Sequence, residues 1–378
     1  MSSSFENFKE RIVYLDNAAT TKPSDVAVAK SEEMMKKFYA NPSSLHGAGI
    51  VAEREVEAAR EIIASAMGVP SDCLYFTSGG TMSDNIAIRG YLASKKGGRI
   101  ITSSFEHPAV MECFKSLENF FDVVYLSPDS SGKITADILA EKLTSDTCFV
   151  SIMHINNETG AINEIEKISE LLRRAGIVFH TDAVQSFLKT PFKYSKTDMA
   201  SVSGHKTHGP KGVGALYIKK GIKVRPVIFG GGQEKNIHSG TLNTQSICSW
   251  AAAVEEESKN LIKNTEKVAF LSSMTKKSLT ELGGTIISPK DASPYIISVV
   301  FKGYIAENIL HYLSARDIFV ATGSACSSKK GSHVMSALGL EKYSKNALRV
   351  SFSHYNDEKD VMIFIAGLQK ALKEIIHS

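Results

Sequence analysis

Two short segments hold the residues whose types and spacing are best suited to chemistry. His180-Thr-Asp182-Ala-Val-Gln185 closes one apolar run, and Ser201-Val-Ser203-Gly-His205-Lys206 closes another. Strand ends of this kind are where open α/β sheets bind ligands. An acid followed by a lysine in such places suits pyridoxal phosphate. The carboxylate keeps the pyridine nitrogen protonated, so that the ring can withdraw electrons. The lysine forms a Schiff base and then moves a proton at the substrate Cα. Ser203 and His205 flank the lysine and are placed to hold a phosphate. A lone lysine is nearly always a solvated surface group and a lone strand-end aspartate a cap. The specificity lies in Ser-Gly-His-Lys206 followed by Thr-His-Gly-Pro-Lys-Gly-Val-Gly.

Two further segments fit the same chemistry. In Tyr75-Phe-Thr-Ser-Gly79-Gly80-Thr81-Met82-Ser83, a strand end meets a glycine turn and a helix start. Gly79 and Gly80 allow close backbone approach to an anion, and Thr81 and Ser83 are expected to cap the helix. Taken alone, this segment is more often a plain glycine turn. Ala321-Thr-Gly-Ser-Ala-Cys326-Ser-Ser-Lys-Lys330-Gly-Ser reads as a mobile exposed loop. A cysteine there is reactive by exposure, and Lys329 and Lys330 favour its thiolate.

The elements that must position these residues alternate. Arg99-Ile-Ile-Thr, Phe149-Val-Ser-Ile-Met, Ile177-Val-Phe-His and Gly214-Ala-Leu-Tyr-Ile read as buried strands, and Ile165 to Arg174 has helical spacing. This rhythm predicts an α/β layer with a mostly parallel sheet. Past Trp250 the pattern changes: a long charged helix over Ala251 to Leu282, strands near Ile296 and Leu348, and an amphipathic helix over Asp360 to Ile376. Residues 15–254 are expected to form a large cofactor-binding domain. Residues 255–378, completed by 1–14, are expected to form a smaller α+β domain.

Composition bounds the function. With 44 basic and 40 acidic residues in 378, no tract is dense enough to predict direct nucleic-acid binding. No apolar run reaches membrane-spanning length and the N-terminus lacks an apolar signal core, so the default location is cytoplasmic, without a membrane partner. Cys73, Cys113, Cys148, Cys248 and Cys326 are odd in number, scattered, and free of any C-x-x-C. A disulfide framework or zinc knuckle is not expected, and no metal site is expected. The first four cysteines read as buried fillers.

Taken together, these residues resemble the class V aminotransferase group of fold-type I pyridoxal-phosphate enzymes. Within that group the chain is similar to cysteine desulfurases of the NifS/IscS type. The landmarks are Tyr14-Leu-Asp-Asn-Ala-Ala-Thr-Thr, Asn41-Pro-Ser-Ser, Ser151-Ile-Met-His-Ile-Asn-Asn157-Glu, Ser203-Gly-His-Lys206, Gly323-Ser-Ala-Cys326 and Leu348-Arg349-Val-Ser-Phe. The resemblance implies that Lys206 carries the cofactor and Asp182 pairs with its ring nitrogen. It implies that Gln185 and Asn157 lie near the ring's phenolic oxygen, and that His107 stacks on the ring and shuttles protons. Thr81, Gly80, Ser203 and His205 would hold the phosphate, and Thr241 would reach the phosphate of a partner subunit in a homodimer. Arg349, with Asn157, would bind the substrate carboxylate by a two-pronged ion pair. Cys326 would take the sulfur of L-cysteine as a persulfide, releasing L-alanine, and pass it to an acceptor protein for iron–sulfur cluster assembly or for RNA or cofactor thiolation.

Three residues depart from the family's pattern: Met82 where glutamate is usual, and Lys235 and His238 where arginines are usual. Lysine keeps the charge but not the planar fork, so a shift in substrate selectivity or in the acceptor is expected. Selenocysteine cleavage uses the same parts and is the nearest competing reaction. Transamination, another class V reaction, needs no cysteine nucleophile. An inactive scaffold would not need the Lys206, Asp182, His107 and Arg349 set.

Overall fold

The computed structural model describes residues 11–323 and 331–375. After β1 (Val13–Tyr14), the helices α1 (Asp25–Lys37) and α2 (Gly47–Met67) lead into β2 (Leu74–Thr77). Then come α3 (Gly80–Asn85), β3 (Arg99–Ser103), α4 (Pro108–Lys115), β4 (Asp122–Leu126), α5 (Ala136–Ala140), β5 (Thr147–Ser151), α6 (Ile165–Ala175), β6 (Val178–Asp182), β7 (Met199–Ser203) and β8 (Gly214–Ile218). Strands β2 to β8 form one seven-stranded sheet in the order β2-β8-β7-β6-β5-β3-β4. Only β8 runs antiparallel to its neighbours. This is the fold-type I architecture, a mostly parallel mixed sheet between helices. The central parallel strands β5, β6 and β7 are buried almost throughout because both faces are covered. β6 and β7 lie side by side, with Asp182 opposite Ser201, so the Asp182 and Lys206 segments leave the sheet at one edge.

Helix α7 (Thr244–Glu281) follows, then β9 (Thr285–Ile286), β10 (Ile296–Val300), α8 (Ala306–Ser314), β11 (Ile318–Phe319), β12 (Ala321–Thr322), α9 (His333–Ala337), β13 (Ala347–Ser351) and α10 (Glu358–Glu374). A four-stranded antiparallel sheet runs β12-β13-β10-β9, and β1 pairs in parallel with β11. Helix α7 starts earlier than its charge pattern predicts, at Thr244, because the Asn243 side chain caps Ser246 N–H at 3.2 Å. Its first turns bury Ile247, Trp250 and Val254 in one core with Phe76, Phe187 and Val202. Its later turns bury Val268, Leu271 and Leu279 in another core with Ile297, Leu348, Phe364, Val13 and Leu15. Strand β5 stops at Ser151, two residues short of the apolar run that suggested it. There Met153 N–H turns away to the Glu106 carboxyl instead. Cys73, Cys113 and Cys248 are buried and unpaired, and Cys148 is half-buried.

Candidate active site

The end of β6 places Asp182, almost wholly buried, where its Oδ1 accepts the Val184 N–H at 2.9 Å. Burial raises the pKa of this carboxyl, opposed by the Val184 N–H and the Lys206 charge. Beneath it lies a polar layer that sequence reasoning did not assign. His180 bonds Ser151 Oγ at 2.8 Å and Ser201 Oγ at 2.9 Å, and its Nε2 is 3.6 Å from Asp84. Full burial holds His180 neutral, with its pKa lowered to about 3. Ser203 ends β7, and a single 3-10 turn, Gly204–Lys206, carries the lysine off the sheet.

Lys206 Nζ donates to the carbonyls of Ala18 and Ala19, both at 2.7 Å. The Ala18 carbonyl also accepts from Gln185 Nε2 at 2.8 Å, while Gln185 Oε1 accepts from Lys189 Nζ at 3.1 Å. Thr20 Oγ1 meets His205 Nδ1 at 3.1 Å, and Thr21 Oγ1 donates to the His205 carbonyl at 3.0 Å. Residues 16–21 thus form a strap that touches Lys206, Gln185 and His205. The sequence marked this segment as a landmark but gave it no task; its run of small and hydroxyl residues was the available signal. Burial lowers the His205 pKa to about 4, helped by Lys206. Lys189, fully enclosed, is lowered to about 7.

The glycine turn is required by close packing. Gly79 has φ 148°, and a Cβ on Gly80 would come within 2.7 Å of Val184 Cγ2. The turn is thereby pressed against the Asp182 segment and near Ser203. The expected side-chain cap is absent: Gly79 is the N-cap with no side-chain bond, and Ser83 Oγ pairs with Thr77 Oγ1 at 2.8 Å. A buried hydroxyl turns inward rather than to the helix end, and Thr81 is exposed at the helix start.

His107 is the N-cap of α4, its Nδ1 accepting the Ala109 N–H at 3.2 Å. That bond puts the proton of the neutral ring on Nε2. Burial, then the charge of Lys206, lowers its pKa to about 4. The adjoining Glu106 anchors the turn through Ser103 Oγ and Met153 N–H, and burial pushes it up to about 8.

Arg349 lies in β13. Its guanidinium donates to the Asn157 carbonyl at 2.9 Å and to Asp16 Oδ1 at 2.8 Å. The side chain that would take a substrate carboxylate is therefore already bound to a carboxylate of the strap. Thr241 is exposed in the loop before α7. That loop is shaped by Glu234, Lys235 and Asn236, all at positive φ, and pinned by a buried two-pronged pair between Glu234 and Arg60 at 2.8 Å. Lys235 Nζ reaches the Asp72 carbonyl, Met82 packs into an apolar cluster, and burial lowers the His238 pKa. Cys326, with Lys329 and Lys330, lies outside the described residues.

The donor set fits pyridoxal phosphate. Ser203 Oγ, Asn157 Oδ1 and Arg349 Nε are buried without a hydrogen-bond partner among the described residues. Buried polar atoms rarely stay unpaired, and these three belong to residues expected to meet the phosphate, the ring and the substrate. Lys206, Asp182, His107, Ser203, His205 and Gln185 would hold the cofactor.

The class-V aminotransferase family model matches residues 13–364. The cysteine desulfurase IscS of Dictyoglomus turgidum is 38% identical over 379 residues, covering 97% of this chain and 96% of that protein. IscS of Methanosarcina thermophila is 37% identical, covering 93% and 90%. Among solved structures, a NifS-like protein superposes with a TM-score of 0.92 at 36% identity, covering 97% of this chain and all of that one. SspA in complex with cysteine gives 0.82 at 34%, covering 91% and 99%. With its sheet order, its strand-end lysine and aspartate, and these full-length likenesses, the chain belongs to the class-V aminotransferase family.

Proposed function

We propose that the protein is a cysteine desulfurase that converts L-cysteine to L-alanine and leaves the sulfur on Cys326 as a persulfide. The observation that carries this reading is the convergence of Lys206, Asp182 and Arg349 around residues whose buried polar atoms lack partners among the described residues. The relatives named as cysteine desulfurases, and the likeness to a protein solved with cysteine, support the substrate.

Pyridoxal phosphate, when bound, supplies a ring that accepts the electron pair left at Cα. Arg349 binds the substrate carboxylate, exchanging Asp16 for it. Lys206 Nζ takes the Cα proton, and Asp182 stabilises positive charge on the ring nitrogen. His107, neutral with a proton on Nε2, moves protons on the ring face without carrying charge into the pocket. The Cys326 thiolate attacks the substrate sulfur. An S–S bond forms, the Cβ–S bond breaks, and its electron pair ends in a C–H bond of alanine. L-cysteine and one thiol give L-alanine and one persulfide, with no outside oxidant.

The same reading makes the enzyme a homodimer, with Thr241 of each chain serving the other's phosphate site. The persulfide goes to an acceptor protein, an iron–sulfur scaffold or a thiolation enzyme. The location is cytoplasmic, in keeping with four unpaired thiols among the described residues. The test compares wild type with Cys326→Ala for alanine and sulfide released from L-cysteine with a thiol reductant. Equal amounts from wild type and none from the variant are expected. Equal products from both proteins would remove Cys326 from the reaction.

A further inference from the structure

Behind Lys206, three donors from three separate elements converge. His208 follows the lysine by two residues, Glu257 lies midway along α7, and His354 sits in the turn after β13. One ligand atom from each lies within 4.8 Å of the other two. We propose that His208, Glu257 and His354 form a binding site for a divalent transition ion, Zn²⁺ above all, which no part of the desulfurase reaction requires.

The geometry supports it. His354 Nδ1 is 3.3 Å from Glu257 Oε1. Two ligands at about 2.0–2.1 Å from a tetrahedral zinc are separated by about that distance. His208 Nδ1 lies 2.8 Å from the Lys22 carbonyl, which can only accept, so Nδ1 carries the proton and Nε2 keeps a lone pair. A backbone carbonyl fixing the tautomer is the usual outer support of a metal-binding imidazole. The other Glu257 oxygen accepts from Asn264 Nδ2 at 3.2 Å, a second such support. His208 is held at φ 59°, an uncommon conformation for a non-glycine residue, with its N–H bonded to Thr21 Oγ1 at 2.9 Å. The three side chains also line a cavity of about 10 Å³, room for one ion or one water. Lys189 and Lys206 line it too, but their ammonium groups are bonded to Gln185 Oε1 and to the Ala18 and Ala19 carbonyls. Two imidazoles and one carboxylate select zinc-like ions over calcium or magnesium, and leave a fourth position for water.

Occupancy would join three pieces of chain: the segment after Lys206, the middle of α7, and the turn after β13. Val254 of α7 belongs to one core and Val268 to the other, so Glu257 lies at their seam. The ion would clamp that seam.

The experiment uses holoenzyme carrying Cys326→Ala, which removes the reactive thiol, dialysed free of unbound cofactor. Zn²⁺ binding is measured by calorimetry, and Co²⁺ is used as a spectroscopic probe. We expect one equivalent of Zn²⁺ per chain and tetrahedral Co²⁺ bands without thiolate charge transfer. Glu257→Gln and His354→Gln should each weaken binding by more than the roughly 10–100-fold that loss of an outer support causes. Cofactor absorption and circular dichroism check that each variant is folded. If neither variant folds, the Co²⁺ spectrum of the parent protein decides: nitrogen and oxygen ligands support the site, and thiolate charge transfer overturns it. Absence of saturable Zn²⁺ binding overturns it, as does binding unchanged in both folded variants.

Discussion

The two walls of the pocket hold their polar groups in different ways. On the sheet wall, Asp182, Ser203, His205 and Lys206 sit at strand ends or one turn beyond, and Ser203 Oγ has no partner among the described residues. On the opposite wall, Arg349 is already bound to the Asp16 carboxylate and the Asn157 carbonyl. A cofactor that stays bound can be met by groups fixed in advance, because their desolvation is settled once on folding. Under the proposed function, a substrate that enters and leaves at every turnover would meet a cation whose charge Asp16 balances between visits, which avoids an uncompensated buried guanidinium.

The largest expected effect tests the sheet wall. Lys206→Ala should lower alanine formation by about 10³-fold or more, since the proton carrier and the covalent anchor go together. Any cofactor retained should be held noncovalently, as read by its changed absorption and its release on gel filtration. Turnover within tenfold of wild type would break the assignment.

The second effect measures what the fixed wall costs. Lys189 titrates at about 7 instead of the usual 10.5, chiefly through burial. The folded protein therefore binds fewer protons than the unfolded chain between those values. Stability is greatest above 10.5, falls as pH drops toward 7, and is flat below. The penalty is roughly 4 kcal/mol at pH 7, offset in part by the bond to Gln185. Lys189→Met should gain on wild type in denaturant unfolding of the cofactor-free protein at pH 7, and that gain should shrink by pH 10. A gain independent of pH would show that Lys189 is not the group responsible.

The smallest effect sharpens the contrast directly. Asp16→Asn keeps the shape and removes the competing charge, so the KM for L-cysteine should fall about fivefold with little change in kcat. This corresponds to about 1 kcal/mol for a partly exposed pair. A rise in KM would mean that Asp16 positions Arg349 and does not stand in for substrate.

Much of the sheet wall was legible in sequence because its signals are local. Apolar runs end at Asp182 and Ser203, and Gly79 and Gly80 mark the turn that Val184 forces to be glycine. The strap was not legible in the same way. Asp16, Ala18 and Ala19 work through backbone carbonyls and one distant ion pair, and Arg349 lies 333 residues from Asp16. Nor was the Glu234–Arg60 pair, which joins residues 174 apart, or the His208, Glu257 and His354 cluster. The cap expected from Thr81 and Ser83 failed because burial gave Ser83 a stronger local partner in Thr77.

The strap also sets the order of events on the ribosome. Ala18 N–H bonds Ser351 Oγ, Asn17 Nδ2 bonds the Ser351 carbonyl, and β1 pairs with β11. Lys206 and Asp182 are translated roughly 7–30 s before Arg349 and Ser351 at ordinary elongation rates. Through that interval the strap has Gln185 and His205 to lean on, while its anchors at Ser351 and β11 are still to come. The site therefore gains Arg349 and the Ser351 anchor of its strap only late in synthesis.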